Sequence, residues 1–369
     1  MQNTNFKITI PSRILVISQM PSLGMKMMTT PLFRSLRNKF QNAKISILTD
    51  KYDAGFYKRN PYDIEVHEVP ENDSSHLDGI RQISPLIKFC NYDTVISLPL
   101  NESIYYYLVS KGKIEIPLRI GSESFLRAYL NDFVSPIPEN INFSHDVCPP
   151  ESIAAPEEYM GKIILRYVAP LWIINESFRP EAWFASEDKE KVDNLFRNIG
   201  LLPTDFLFTI NLRANQQSNQ WKMETLAETI QKISEFWKKF ELANRFGSLI
   251  FGINYVESYQ SVYFKKFMEI LKNYKIKSPV FGLPNSNPGE LSQIIKRSNY
   301  VLTQETGTAH VVEALDKPAT VVYPDSRIEK GWKLPESKIL SVLSPLEKLS
   351  SEDLFFDSLN SLFYWYSKK

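Results

Sequence analysis

The chain has 369 residues, 43% of them apolar and 23% charged, which excludes disordered, collagenous and coiled-coil classes and leaves room for two ordinary domains. Lys plus Arg (43) against Asp plus Glu (42) gives a formal charge of +1, so no polyanion partner such as nucleic acid is expected. Cys90 and Cys148 are too few for a disulfide framework or a thiolate zinc site, and they suit a reducing compartment. Arg166 interrupts the Ile163–Ile174 stretch, and no apolar run reaches the ~18–20 residues of a membrane span. The N-terminus lacks the basic-then-apolar pattern of a signal peptide, and the expectation is a cytoplasmic protein. Residues 1–49 carry Lys7, Arg13, Lys26, Arg34, Arg37, Lys39 and Lys44 without one Asp or Glu. Such a run reads either as a solvated helix face or as a basic rim toward an anionic substrate or membrane surface.

In chain order, Ile14–Ile17 predicts a buried strand, the loop PSLGMKM follows, and a helix runs through Pro31–Arg37 with Leu32, Phe33 and Leu36 on one face. Strands are predicted at Ile45–Leu48, Ile64–Val69, Thr94–Leu98 and Ile114–Ile120, with helices near His76–Phe89 and from about Glu102. The proline-rich stretch 131–158 reads as a long irregular connection, followed by a helix near Pro156–Leu171. A second alternation then begins. Its strands are Leu207–Ile210, Ser248–Phe251, Pro279–Phe281, Tyr300–Thr303 and Ala319–Val322. Its helices are Met223–Phe240, Tyr259–Tyr274, Gly289–Arg297 and Ala309–Leu315. Ser350–Tyr366 is an aromatic amphipathic helix that Ser350 or Ser351 can cap. Two open α/β domains follow from this pattern, and ligands of such sheets bind beyond the carboxyl ends of the strands.

The most informative segment is YVLTQETGTAHVVEALDKPATVVYP, Tyr300–Pro324. A buried strand ends in a polar turn, Glu305-Thr306-Gly307-Thr308, that opens a helix carrying His310. Free N–H groups at a helix start, with a glycine for close approach, make an anion site. Thr306 and Thr308 would add hydroxyl donors, and Glu305 could accept from a ribose hydroxyl. The plainer reading is a strand-to-helix turn with a Thr N-cap. Pro21-Ser22-Leu23-Gly24-Met25 is a second strand-to-helix loop, in which Gly24 would let a ligand or another element approach the backbone. It lacks the Gly-Lys-Ser/Thr of a P-loop and the further glycines of a dinucleotide fingerprint, so a kinase or dehydrogenase is disfavoured. No HExxH, CxxC or GxSxG pattern occurs.

Taken together, these segments resemble the family 9 glycosyltransferases, the ADP-heptose:lipopolysaccharide heptosyltransferases. RILVISQMPSLGMKMMTTPLFRSLRNKFQNAKISIL is similar to the family opening, where Ser-Leu-Gly-Asp precedes the first helix. YDTVISLPLNESIYYYL, LRIG (Leu118–Gly121), NLRANQQSNQWKMETLAETI and QETGTAHVVEALDKPATVVYPDSRIEKGWKLP follow in family order. The resemblance implies a GT-B fold: two Rossmann-like domains with parallel sheets facing a central cleft. It places the acceptor domain at 1–178, the nucleotide-sugar domain at 179–349, and a tail helix at 350–369 that crosses back toward the first domain. It further implies an inverting, metal-independent transfer with no cofactor beyond a nucleotide-sugar co-substrate, expected to be ADP-heptose. The implied acceptor is a glycan or lipid-linked glycan of the lipopolysaccharide core type, met in the cytoplasm or peripherally at the inner membrane. Donor contacts are expected from Glu305, Thr306, Gly307, Thr308, His310, Asn211, Arg213 and Lys222, with Ser22, Gly24 and Met25 near the reacting centre.

The chain departs from the family pattern at defined positions. Met25 stands where the family has its catalytic carboxylate, and a thioether cannot take a proton. Glu305 replaces the signature Asp, and Thr308 replaces the Pro after the glycine. The basic residue before Trp221 is Asn219 or Gln220 here, with Lys222 on the other side. Glu102 is the first candidate for a substitute base and Asp50 the second. Two alternatives stand beside a substituted base: a different acceptor, a protein hydroxyl among them, or a sugar-nucleotide-binding pseudoenzyme or partner subunit.

Overall fold

The computed structural model describes residues 10–18, 20, 22–69, 90–98, 118–120, 159–173, 176–212, 221–346 and 348–367. The predicted helices at 76–89 and from 102, and the connection 131–158, lie outside them. The chain divides into two units. The first takes Met1–Pro21, Thr29–Glu151 and Lys162–Phe178; the second takes Ser22–Met28, Ser152–Gly161 and Arg179–Lys369.

The first unit holds a parallel sheet in the order β3-β2-β1-β4-β5, made of β1 (Arg13–Ile17), β2 (Lys44–Asp50), β3 (Glu65–Val69), β4 (Thr94–Ser97) and β5 (Leu118–Ile120). Ile14 pairs with Ile45 and with Thr94, and Ile14–Ile17, Ile45–Thr49 and Thr94–Ser97 are buried, as strands covered on both faces of a parallel sheet are. Helix α1 (Leu23–Lys39) buries Leu32, Phe33 and Leu36 together with Met27, Met28, Thr29, Thr30 and Ser35, so it is enclosed on more than the one face its sequence predicts. A short helix, α2 (Lys51–Tyr57), was not legible in a seven-residue sequence interrupted by Gly55. Asp50, the second candidate base, caps it by accepting from the Asp53 N–H at 2.8 Å, so its carboxylate has a structural task. Asp53 in turn accepts from the Met20 N–H at 2.9 Å.

Much of the basic opening is used inside this unit. Arg37 donates to the carbonyls of Tyr62, Gln41, Ala43 and Asp63 at 2.9–3.1 Å. Arg13 donates to the Cys90 carbonyl, Arg34 to that of Ser177, and Lys44 pairs with Glu65. These four cations are held within the unit, Arg37 on the turns before β2 and β3 and Lys44 between the two strands. α3 (Met160–Leu165) continues as a 3₁₀ turn over Arg166–Leu171, within the stretch predicted as one helix.

The second unit is a six-stranded parallel sheet in the order β11-β10-β9-β6-β7-β8. Its strands are β6 (Phe206–Asn211), β7 (Leu249–Val256), β8 (Val280–Asn285), β9 (Tyr300–Gln304), β10 (Ala319–Tyr323) and β11 (Ile339–Leu343). Its helices are α4 (Ser186–Asn198), α5 (Met223–Lys239), α6 (Ala243–Phe246), α7 (Glu257–Leu271), α8 (Pro288–Arg297), α9 (Gly307–Ala314), α10 (Ser326–Trp332) and α11 (Ser351–Ser367). Fully buried Phe208 meets Phe251 and Tyr300 at ring separations of 5.6 and 5.0 Å, which centres the core on β6.

Helix α11 starts at a Ser350–Asp353 capping box. Its described contacts lie within the second unit: Phe236 packs on Phe355 and Phe363, Tyr366 packs on Phe206, and Ser361 reaches the Ala319 carbonyl. Burial of those rings against α5 and the sheet is what holds the tail. Among the described residues, no helix is long and apolar enough to cross a membrane.

Candidate functional site

From β6 the chain moves to one side through β7 and β8, then returns to the other side with β9, β10 and β11. The carboxyl ends of β6 and β9 therefore flank the topological switch point of the sheet, where open α/β sheets take their ligands. Asn211 ends β6, Gln304 ends β9, and Glu305-Thr306 leads directly into α9.

Thr306 occupies the N-cap position with extended backbone (φ −159°, ψ 177°), yet its side chain does not cap the helix. Its hydroxyl oxygen lies 3.4 Å from Asn211 Nδ2 and 3.3 Å from the Gln304 carbonyl. The two neighbouring helices behave differently: Asn287 caps α8 through the Gly289 and Glu290 N–H groups, and Asp325 caps α10 through those of Arg327 and Ile328. The expectation of an ordinary Thr cap fails here because the hydroxyl is engaged elsewhere. The first N–H groups of α9, at a partly exposed turn, keep the positive end of the helix available to an anion.

Behind this turn sits a buried imidazole. His310 Nδ1 is 3.1 Å from Glu313 Oε2, and Glu313 Oε1 accepts from the Leu334 N–H at 2.6 Å. Arg179 donates to the Glu313 carbonyl and to Asp316 Oδ1, and the Trp332 ring lies 5.8 Å from the imidazole. Glu305 Oε1 is 3.9 Å from His310 Nε2. Burial alone would lower the His310 pKa, but the Glu313 bond and charge, with Glu305 behind them, leave it raised. Burial likewise raises Glu305, with Glu313 adding to the effect and His310 opposing it.

The start of α1 belongs to the same unit and meets the start of α9 through two glycines. A Cβ on Gly24 would lie 2.8 Å from His310 Nε2 and closer still to Cδ2; one on Gly307 would lie 2.7 Å from Leu23 Cβ. Gly24 therefore admits the His310 ring, which is the element its sequence left unidentified. Ser22 Oγ accepts from the Met25 N–H at 3.3 Å and so caps α1. Met25 is 4% exposed.

The structure thus gathers Ser22, Gly24, Glu305, Thr306, Gly307, His310 and Asn211 around two helix starts. Thr308 and His310 are buried, so of the expected donor contacts the turn residues Glu305, Thr306 and Gly307 are the open ones. Lys222 is exposed at the N-cap position of α5, next to buried Trp221, whose indole donates to the Asn211 carbonyl at 2.8 Å. Glu102 and Arg213 lie outside the described residues. Sequence reasoning missed Glu313, although its i+3 spacing from His310 on one helix was a usable signal.

Two parallel-sheet α/β units of this kind constitute the GT-B fold. No family model matches the sequence, and no curated protein matches it either. Solved structures do match over almost the full length. A family 9 glycosyl transferase from Veillonella parvula is 16% identical with a TM-score of 0.73, covering 96% of this chain and 97% of that one. Escherichia coli ADP-heptose lps heptosyltransferase II is 16% identical with a TM-score of 0.65, over 96% and 99%. The E. coli heptosyltransferase WaaC with ADP is 14% identical with a TM-score of 0.61, over 95% and 99%. At these identities the likeness is one of fold.

Proposed function

We propose that this chain is a glycosyltransferase of the heptosyltransferase type, moving a sugar from a nucleotide diphosphate donor to a hydroxyl of a surface-glycan precursor. The observation that carries this reading is the uncapped start of α9 at the switch point of a GT-B sheet. The diphosphate lies against the partly exposed start of α9 at Thr306 and Gly307, Glu305 accepts from a donor hydroxyl, and Lys222 and Arg213 supply positive charge. Heptose on ADP is the donor that the sequence resemblance favours. In the inverting step the acceptor oxygen bonds to the anomeric carbon from the face opposite the diphosphate. The carbon–oxygen bond to the diphosphate breaks with its electron pair, and the acceptor proton passes to a base. Buried Met25 cannot be that base, and Glu102 is assigned the role. A lipid-linked acceptor would bring the protein to the inner-membrane surface. With Arg34 and Arg37 held by carbonyls, exposed Lys39 is the charge to test against anionic vesicles.

Thermal-shift titration with ADP, UDP, GDP, CMP and ADP-heptose tests the donor. A ligand at 100 times its dissociation constant adds about 2.7 kcal/mol, a shift of several degrees at about 2–4 °C per kcal/mol. Selective stabilisation by ADP and ADP-heptose supports the reading, UDP or GDP selectivity discards heptose, and no response discards the donor site. Met25 also favours a second reading, a donor-binding protein without turnover. Glu102→Gln abolishing transfer while sparing donor binding supports the enzyme. A wild-type protein that binds donor but transfers to no glycan or polypeptide acceptor, and gains transfer as Met25→Asp, supports the second.

A further inference from the structure

Three asparagines on three adjacent strands form a hydrogen-bonded chain that ends at Thr306. Asn285 closes β8, Asn254 lies in β7, and Asn211 closes β6. Asn211 and Asn254 are register partners, and Asn285 pairs with Val256, two residues beyond Asn254. All three side chains therefore stand on one face of the sheet. They are 4%, 2% and 4% exposed for Asn211, Asn254 and Asn285. Asn285 Nδ2 donates to Asn254 Oδ1 at 2.8 Å, and Asn254 Nδ2 donates to Asn211 Oδ1 at 3.1 Å. Asn211 Nδ2 then points to Gln304 Oε1 and Thr306 Oγ1, each at 3.4 Å.

The direction of the chain is fixed at its far end. Asn285 Nδ2 also donates to the Tyr255 carbonyl at 3.0 Å, and a carbonyl can only accept. With that amide held, Asn254 must present its oxygen to Asn285 and its nitrogen to Asn211, and Asn211 must present its nitrogen to Thr306. The amide dipoles consequently line up with their donor ends toward the start of α9. Thr306 Oγ1 receives a hydrogen bond from this side, and its own hydrogen is directed at the Gln304 carbonyl. In that state it does not cap α9. Reversing the chain would turn the Asn211 oxygen toward Thr306. The hydroxyl would then donate to Asn211 instead of to Gln304, and the lone pair now taken by the Asn211 amide would join the other in being free to accept from the helix N–H groups, in competition with an anion.

We infer that Asn254 and Asn285 are positioning residues for the diphosphate of the donor, acting through Asn211 to keep Thr306 out of the cap. The inference rests on the donor-site reading above. Its test compares inorganic pyrophosphate, ADP and adenosine by calorimetry on the full chain. Asn254→Asp keeps the shape but removes the donor to Asn211. Asn285→Leu removes the anchor without adding charge and lies two strand spacings from Asn211, about 10 Å. Both are expected to weaken pyrophosphate and ADP, by about tenfold for Asn254→Asp and in the same direction for Asn285→Leu, while adenosine changes less than twofold. Pyrophosphate affinity unchanged by Asn285→Leu would overturn the chain and leave only a charge effect at position 254. Equal losses for adenosine and pyrophosphate would also overturn it, by reducing the ladder to scaffolding. Wild-type protein that binds neither pyrophosphate nor ADP would overturn the donor-site reading, and this inference with it.

Discussion

Replacing Gly24 by Ala puts a methyl group where the His310 ring already is. The added carbon would sit 2.8 Å from Nε2, about 1 Å inside the ordinary ~3.5–4.0 Å contact, so the ring must retreat. His310 cannot retreat freely, because its Nδ1 is bonded to a carboxylate that is itself fixed by the Leu334 N–H. Overpacking costs about 1–3 kcal/mol and a disturbed charge-assisted bond about 1.5–3 kcal/mol, against about 1 kcal/mol regained from helix propensity. The net destabilisation is about 1.5–5 kcal/mol, a fall in melting temperature of about 3–20 °C for a unit of this size. Gly55→Ala is the matched control: it also lies within a helix, but its nearest neighbour would be Arg59 Nη1 at 3.8 Å, and it should be neutral or slightly stabilising. Differential scanning calorimetry of both variants, and of Gly24→Ala in a His310→Ala background, measures the effect. A Gly24→Ala protein as stable as wild type, or one damaged equally without the imidazole, would refute the argument.

The His310–Glu313 pair carries a pH signature. Because its pKa is raised on folding, the imidazole adds stability in full below its unfolded value near 6.5, and that contribution is lost as pH rises through the folded value. Urea midpoints between about pH 6 and 9 should show this decline in wild type and a flatter profile in Glu313→Gln; parallel profiles would exclude the pair as its source. The helix caps give a contrast. Asp325→Ala should cost about 0.5–2 kcal/mol by calorimetry, as loss of a true cap does, whereas Thr306→Ala should cost no cap energy and show its effect in nucleotide affinity. A stability loss for Thr306→Ala equal to that for Asp325→Ala would mean that Thr306 caps α9 in solution.

Strands such as Ile14–Ile17 and Tyr300–Thr303 were legible as short unbroken β-branched or aromatic runs, because a parallel sheet buries both faces. It cut β7 and β8 short. Gly252 and Asn254 interrupt the apolar run of one, and Pro284 interrupts the other, where it is tolerated because β8 is an edge strand. Helix α4 escaped notice because its apolar residues, Val192, Leu195 and Phe196, are confined to its second half, while Asp188 is buried to bond the Ala185 N–H. The β9–α9 turn was legible because a strand, a glycine and a helix start are local features. The task of Gly24 was not, since it depends on a ring 286 positions later. The asparagine ladder joins residues 31 and 43 positions apart, and only strand register brings them into line.

That ladder also bears on how the protein ages. Asparagine side chains hydrolyse to carboxylates over time, usually after the following backbone nitrogen folds back onto the side-chain carbon, and they are counted among the thermolabile residues. Asn254 is held in the middle of a strand with its side chain bonded at both ends, so the backbone is denied the bend this reaction needs. Asn285, at the end of edge strand β8 and followed by Ser286, is the least enclosed by neighbouring strands. In an old preparation it is therefore expected to be the first of the three to lose its amide nitrogen, and with it the bond to the Tyr255 carbonyl.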